Sequence, residues 1–198
     1  MRVMLTDGSS FFVSSKDRAF LGVAEGVEVS VSELSARAFR HALSLAEAKA
    51  LEFLARREHT GREIAQKLEQ RGFDSHVISE CVAKLKDNDS VDETRFAEYY
   101  IESRLRKAPR GRMAIAAELQ ERGVPRGIVQ SALSAYEQEH PGAFAEALRR
   151  ALRKAGADGA SPQRIAGRLA RRGFSAGEVQ RALEDEQYGD REYDGETY

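Results

Sequence analysis

The 198-residue chain has few of the side chains that support covalent or metal chemistry. Its single cysteine, Cys81, excludes an internal disulfide and any zinc site with several cysteine ligands. The four histidines are scattered without a His-x-x-x-His spacing, and no glycine-rich phosphate-binding loop is present. Serine is abundant, but it occupies helix-capping positions, and no nucleophile with a paired base can be named. We therefore predict no metal, no cofactor and no enzymatic activity.

Long apolar segments are also missing. The N-terminal sequence MRVMLTDGSSFFVSS has no apolar core of the kind found in signal peptides, and nowhere do about 18 apolar residues run together. The chain has no tryptophan and four prolines, while 41% of its residues are hydrophobic and 32% are charged. This composition is typical of a soluble, helix-rich protein with a buried core. We expect it in the cytoplasm, a reducing compartment, and without membrane contact.

A ten-residue pattern occurs three times in the chain: IAQKLEQRGF, IAAELQERGV and IAGRLARRGF, with offsets of 51 and 50 residues. Each copy places Ile and Leu four residues apart, which forms an apolar stripe on one face of a helix. Each then has Arg-Gly, where the glycine predicts a left-handed helix end and the next apolar residue packs back on the leucine. The repeat signature consists of Ile64, Leu68, Gly72, Phe73, Ile115, Leu119, Gly123, Val124, Ile165, Leu169, Gly173 and Phe174.

Apolar residues at helical spacing also occur before and after each copy, which predicts three helices for every repeat. Pairs with the spacing of a capping box are Ser44 with Glu47, Thr60 with Glu63, and Ser175 with Glu178. We predict a mainly α fold, in which three tandem three-helix repeats form an elongated, curved array. Their predicted bounds are 44–90, 91–140 and 141–186.

Residues 1–43 differ from the repeats. The segments RVML, SFFV, AFLGV and VEVSV are rich in Val and Phe and are separated by turn residues. Asp7-Gly8 has the composition of a hairpin turn. We predict a small antiparallel sheet followed by a short helix from Ser32 to Leu43, forming a β-rich accessory segment.

Charge is distributed unevenly along the chain. The last fifteen residues, EDEQYGDREYDGETY, carry seven carboxylates and one arginine, which gives them a net charge of −6. Because the whole chain has a net charge of −1, everything before this segment has a net charge of +5. Residues 187–198 are predicted to be an acidic, disordered tail. Two interpretations of this tail stay open: a solvating end, or a segment that competes for a basic surface of the same chain.

Basic residues are concentrated in two places. The segment SRLRKAPRGRM has five bases and no acid, and the third repeat has a net positive charge. Cations near the end of a helix stabilise its dipole, which is a purely structural explanation. However, five cations without acidic partners would repel one another, which favours an anionic partner. The candidate binding residues are Arg104, Arg106, Lys107, Arg110, Arg112, Arg149, Arg150, Arg153, Lys154, Arg168 and Arg171.

Three further arginines precede the repeat glycines: Arg71, Arg122 and Arg172. We interpret them as structural caps of the helix ends.

Three segments together resemble the RecX family, the bacterial regulators of the RecA recombinase. These segments are LARREHTGREIAQKL (54–68), VDETRFAEYYIESR (91–104) and GRMAIAAELQERGV (111–124). The resemblance extends over about residues 44–186. It implies tandem three-helix units without enzymatic activity.

The resemblance also implies a partner and an activity. RecX-like proteins bind in the groove of the RecA filament on single-stranded DNA, and depress its extension, ATP hydrolysis, strand exchange and co-protease activity. The expected role is thus modulation of recombination, DNA repair and the SOS response, by a chain that we expect to be a monomer. An alternative stays open, because three-helix units can also bind DNA directly, without a recombinase.

Overall fold

The computed structural model describes residues 2–4, 8, 10–26, 28–157 and 159–193, and divides the chain into two compact units, Met1–Val91 and Asp92–Tyr198. In the first unit the elements are β1 (Arg2–Met4), β2 (Ser10–Phe12), α1 (Ser15–Leu21), α2 (Val31–Leu54), α3 (Gly61–Glu69) and α4 (Ser75–Asp87). In the second they are α5 (Glu93–Lys107), α6 (Arg112–Glu121), α7 (Arg126–Glu139), α8 (Ala143–Gly156), α9 (Pro162–Ala170) and α10 (Ala176–Tyr193). The predicted mainly helical fold is confirmed. No helix within these described ranges is long and apolar enough to span a bilayer.

The N-terminal sheet is smaller than predicted. Strands β1 and β2 pair antiparallel, with Arg2 opposite Phe12 and Met4 opposite Ser10. The predicted strand AFLGV is wrong, because most of it belongs to α1. Ser14 caps this helix by accepting a hydrogen bond from the Asp17 amide at 3.2 Å, and a helix already begun from its cap overrides the weak strand preference of these residues. The described part of VEVSV leads into α2 and has no strand, and Asp7 of the predicted turn lies outside the described residues.

A helix break at Ser44 was predicted, and it is wrong. Helix α2 runs without interruption for 24 residues, and Ser44 lies near its middle. Its N-terminal cap is Ser30, which accepts a hydrogen bond from the Glu33 amide at 3.2 Å. Leu43, Ala46 and Ala50 are buried on one face across the predicted break. Because the apolar face is continuous, the helix continues, and the predicted short helix from 32 to 43 is its first half.

The repeated ten-residue pattern ends in the same closure three times. Gly72, Gly123 and Gly173 have φ angles of 80°, 90° and 82°, which is the left-handed region that favours glycine. The amide that follows each glycine donates to the carbonyl of the repeat leucine: Phe73 to Leu68 (3.3 Å), Val124 to Leu119 (3.0 Å) and Phe174 to Leu169 (3.3 Å). This is the Schellman hydrogen bond, so the predicted helix end is confirmed in each repeat.

Two of the predicted capping boxes are also present. The Thr60 hydroxyl accepts from the Glu63 amide at 3.1 Å. Ser175 and Glu178 bond reciprocally, with the Glu178 carboxylate accepting from the Ser175 amide at 2.7 Å. Each pair satisfies amides that the first turn of a helix leaves without a partner.

Each set of three helices surrounds its own apolar core. Ile64 and Leu68 are fully buried in the core of α2–α4, Ile115 and Leu119 in that of α5–α7, and Leu169 in that of α8–α10. The second core also takes Phe144 and Ala147 from α8. Since α8 contributes to both cores, the second and third repeats pack against each other within the second unit.

The acidic tail is partly helical. Helix α10 continues to Tyr193 and so includes residues 187–193 of the predicted tail. Each residue added to an existing helix gains one backbone hydrogen bond. Starting a new helix is less favourable, because several residues must take helical dihedral angles before the first hydrogen bond forms. Residues 194–198 of the predicted tail lie outside the described residues.

Cys81 is fully buried in the first core, and burial raises the pKa of its thiol to about 11, with the nearby Glu47 carboxylate adding to the shift. The thiol is therefore protonated at neutral pH and shielded from reagents. We expect native protein to react with a thiol reagent at least about a thousandfold more slowly than urea-unfolded protein, because only a fraction of about 10⁻³ or less is open. The control is Cys81→Ser combined with Ser79→Cys, which moves the thiol to an exposed position of α4. Equal labelling rates for the two proteins would contradict the burial of Cys81.

Candidate functional site

The connection between α5 and α6 contacts the turn that follows α9. The Gly111 amide donates a hydrogen bond to the Arg172 carbonyl at 2.8 Å. A Cβ atom on Gly111 would lie 2.0 Å from the Gly173 carbonyl oxygen, and one on Gly173 would lie 2.3 Å from the Ala114 Cβ. Both distances are far below van der Waals contact, so the two backbones approach this closely only because both residues are glycine.

Arg110 and Arg172, the residues that precede these two glycines, both line a positively charged depression. Two adjoining cavities, of about 500 Å³ and 220 Å³, share Arg110, Lys154 and Arg172 in their walls. Nine described residues line the two cavities, of which six are basic and none is acidic. We define the basic cleft by these six residues: Lys107, Arg110, Lys154, Arg168, Arg171 and Arg172. The other lining residues are Ala108, Pro109 and Ala155.

Glu118 connects the cleft to the core of the second repeat. Its Oε2 accepts from the Tyr100 hydroxyl at 2.6 Å and lies 2.8 Å from Arg104 Nε, while its Oε1 lies 3.4 Å from Arg110 Nε. Partial burial opposes the charge of Arg104, but hydrogen bonds and charges from Tyr100 and Glu118 outweigh it and raise the pKa of the guanidinium. The guanidinium groups of Arg104 and Arg122 also lie 4.8 Å and 5.0 Å from the centroid of the Tyr100 ring. Glu118 therefore balances Arg110, which lines the cleft, and Arg104, which lies outside it.

Comparison with known proteins decides the family. A model described as "RecX, first three-helix domain" matches residues 46–85, and one described as "RecX, second three-helix domain" matches residues 92–133. The regulatory protein RecX of Halorhodospira halophila is 40% identical over 146 residues, which cover 71% of this chain and 89% of that protein. A regulatory protein RecX of Mycobacterium sp. (strain KMS) is 36% identical over 154 residues, covering 74% of this chain and 84% of that protein. The chain belongs to the RecX family.

Two solved RecX structures share the fold. The crystal structure of RecX from Lactobacillus salivarius superimposes with a TM-score of 0.63 at 22% identity, covering 74% of this chain and 97% of that chain. A second crystal structure, of a regulatory protein RecX, gives a TM-score of 0.71 at 19% identity and covers 91% and 92% of the two chains. The tandem three-helix units predicted from the repeat are thus those of RecX.

The basic cleft lies where the second RecX domain meets the third repeat. Lys107 and Arg110 belong to the second domain, whose matched residues are 92–133. Lys154, Arg168 and Arg171 come from α8, α9 and the turn after α9. The sequence predicted two separate groups of bases, and the structure brings part of each group into one cleft.

Arg172 also lines the cleft, although the sequence indicated only a structural cap. The other two arginines that precede a repeat glycine lie over aromatic rings, Arg71 over Phe53 and Arg122 over Tyr100. Arg172 differs because its carbonyl accepts from Gly111, which holds it at the junction of two repeats. The only sequence signal for this difference is the glycine at position 111.

The five bases of the segment SRLRKAPRGRM were predicted to lack acidic partners, and for four of them this is wrong. Arg104 and Arg110 share Glu118, while Arg106 lies 3.5 Å from Glu102 and Arg112 pairs with Glu137. Acids from α5, α6 and α7 therefore compensate four of the five cations. Lys107 is the exception, with no carboxylate within ion-pair distance among the described residues.

The remaining predicted residues do not line the cleft. The Arg150 guanidinium donates to the Leu105 carbonyl at 2.6 Å, which ties α8 to the end of α5. Arg149 and Arg153 line a different groove of about 630 Å³, together with Phe144, Leu148 and residues of α10. Arg106 and Arg112 are not among the lining residues of the cleft either. Five of the eleven candidates thus line the basic cleft: Lys107, Arg110, Lys154, Arg168 and Arg171.

Proposed function

We propose that this RecX-family protein binds the RecA filament on single-stranded DNA and inhibits its extension, ATP hydrolysis, strand exchange and co-protease activity. Through this it modulates recombination, DNA repair and the SOS response, acting in the cytoplasm as a binding protein and not as an enzyme. The observation that carries the proposal is the match of both three-helix domains to RecX. The relatives of known name are regulatory proteins, which supports a regulatory role.

The basic cleft is the surface that we propose for contact with the filament. It concentrates cations without acids among its described lining residues, and such surfaces attract anionic partners. The same feature favours a second candidate function, direct DNA binding without a recombinase. The two functions differ in the amount of protein needed. A filament regulator acts at substoichiometric ratios to RecA, whereas a protein that only competes for DNA must cover it.

The first test is the single-stranded-DNA-dependent ATPase rate of the cognate RecA, titrated with this protein from well below to above the recombinase concentration. We expect inhibition well below one molecule per RecA subunit. Binding of the protein alone to the same DNA is measured in parallel. Inhibition that begins only when the protein covers the DNA would favour direct DNA binding.

Charge reversal in the cleft should weaken this inhibition. Lys107, Lys154 and Arg171 are exposed, and none has a carboxylate partner among the described residues, so Lys107→Glu, Lys154→Glu and Arg171→Glu should leave the fold intact. Arg104 and Arg110 are left unchanged, because a glutamate at either position would face Glu118. We expect the triple variant to need about tenfold more protein for half-inhibition, since like charges at an interface are strongly unfavourable.

The matched control reverses three exposed arginines outside the cleft, Arg126, Arg149 and Arg153. It changes the net charge by the same amount, and circular dichroism and thermal melting check the folding of both variants. If the control weakened inhibition as much as the cleft variant, net charge and not the cleft would determine binding.

A further inference from the structure

The lining of the basic cleft indicates what kind of anion fits it. Besides the six bases it contains only Ala108, Pro109 and Ala155 among the described residues. Aromatic side chains, on which single-stranded bases stack, are missing from this set. Apolar side chains large enough to anchor a peptide are missing too. Arginine binds phosphate bidentately, and lysine binds it as a point charge. The lining therefore suits phosphate groups more than bases or acidic peptides.

Several bases of the cleft have no carboxylate partner among the described residues. Outside it, Arg104, Arg106 and Arg112 each have a carboxylate partner. Within it, Lys154 and Arg171 have none among the described residues, although they share one cavity wall. The two cations repel each other, and no described carboxylate offsets this repulsion. A bound anion would reduce it.

Arg110 lies between the cleft and Glu118. It lines both cavities, while its Nε is 3.4 Å from Glu118 Oε1. The other oxygen of Glu118 is held more closely, by Tyr100 at 2.6 Å and Arg104 at 2.8 Å. Glu118 therefore stays in place if Arg110 turns away, and Arg110 has the freedom to exchange this carboxylate for another anion.

We propose that the basic cleft binds the backbone phosphates of single-stranded nucleic acid, independently of base sequence, and that Glu118 limits the affinity by competing for Arg110. The inference rests on the proposed function and deepens it, because it names the phosphates as the part of the filament that the cleft contacts. It also makes Glu118 a residue that sets affinity without touching the ligand.

The test measures binding of the full chain to fluorescein-labelled oligo(dT) by fluorescence anisotropy, without recombinase, from about 50 to about 200 mM salt. Every phosphate contact to a single strand contributes about 0.7 to the slope of log affinity against log salt. Lys154→Gln with Arg171→Gln should therefore lower the slope by about 1.4. If the unchanged protein and the double variant bind equally at about 1 M salt, a slope difference of about 1.4 makes the variant bind about 25-fold more weakly at about 0.1 M salt.

Removing the charge of Glu118 should have the opposite effect. We expect Glu118→Gln to bind more tightly and to raise the slope by about 0.7, because Arg110 then has one phosphate more to neutralise. The amide of glutamine still accepts the Tyr100 hydrogen bond, so the network is kept. Glu102→Gln is the matched control: it makes the same change in net charge beside Arg106, outside the cleft, and should leave the slope unchanged.

Three results would overturn the proposal that the cleft binds phosphates. An unchanged slope in the Lys154/Arg171 variant, or equal effects of Glu118→Gln and Glu102→Gln, overturns it. Displacement of the oligonucleotide by polyglutamate as readily as by inorganic tripolyphosphate also overturns it, because the site would then recognise charge alone. RecA inhibition is measured separately: inhibition without phosphate binding would sink only this inference, and the predicted slopes without inhibition would sink only the proposed function.

Discussion

Gly173→Ala should lower the free energy of unfolding by about 3 kcal/mol, whereas Gly72→Ala should lower it by about 1 kcal/mol. Both glycines end a repeat helix, with φ angles of 82° and 80°, so both variants strain the backbone by a similar amount. A Cβ on Gly72 meets nothing within 4 Å, but one on Gly173 meets the backbone nitrogen of Ala114 at 2.4 Å. The difference between the two variants therefore measures the contact between repeats.

Urea unfolding followed by circular dichroism measures both variants, and Gly111→Ala completes the set. Gly111 has an ordinary φ of −74°, so alanine there adds no backbone strain and only the clash with Gly173. We expect Gly111→Ala to destabilise the protein and to weaken oligonucleotide binding, because the contact that it removes holds together the turns that carry Arg110 and Arg172, which both line the cleft. If Gly72→Ala and Gly173→Ala cost the same, the close approach of the two turns would be wrong.

Phe96→Ala should lower the free energy of unfolding by about 3 to 5 kcal/mol, the usual range for removing a buried phenylalanine. Phe96 is 2% exposed and is among the largest fully buried side chains of the chain. Its ring stacks on that of Tyr100, with centroids 5.8 Å apart, and Tyr100 in turn holds Glu118. A cavity at Phe96 should therefore loosen the network beside the basic cleft as well as the core.

Tyr99→Ala provides the control, since Tyr99 is an aromatic residue of the same helix that is 48% exposed. We expect it to cost less than about 1 kcal/mol, as is usual for substitutions at the surface. Thermal melting and urea unfolding measure both variants, and oligo(dT) anisotropy shows whether the cleft changes. Equal losses of stability in the two variants would show that Phe96 is not a core residue.

The helix ends were predictable because the interactions that form them are local. The Schellman closure at Gly123 involves residues 119–124, and the capping box at Ser175 involves residues 175–178, so each pattern is contained in a short stretch of sequence. The same kind of pattern failed at Ser44. There a serine and a glutamate have the spacing of a cap, but the burial of Leu43, Ala46 and Ala50 on one face continues the helix through it.

Ion pairing was not predictable, because the partners come from other helices. Arg104 lies on α5 and its partner Glu118 on α6, while Arg112 begins α6 and its partner Glu137 lies on α7. Within the segment SRLRKAPRGRM the bases have no acid, and nothing in the sequence shows that α6 and α7 provide one. The position of Arg172 was not predictable for the same reason, because its carbonyl accepts a hydrogen bond from Gly111 in the preceding repeat.

The sequence by itself determined the three repeats, their helix ends and the family, because a repeated pattern and its closures depend on hydrogen bonds and contacts within a few residues. Only the tertiary structure decided which of the many bases lie together in one cleft. Gly111 and Gly173 bring the end of the second repeat's first helix to the end of α9, and Lys107 and Arg110 thereby come to share a cleft with Lys154 and Arg171. This arrangement depends on the packing of backbones that are far apart in the sequence, which no local pattern specifies.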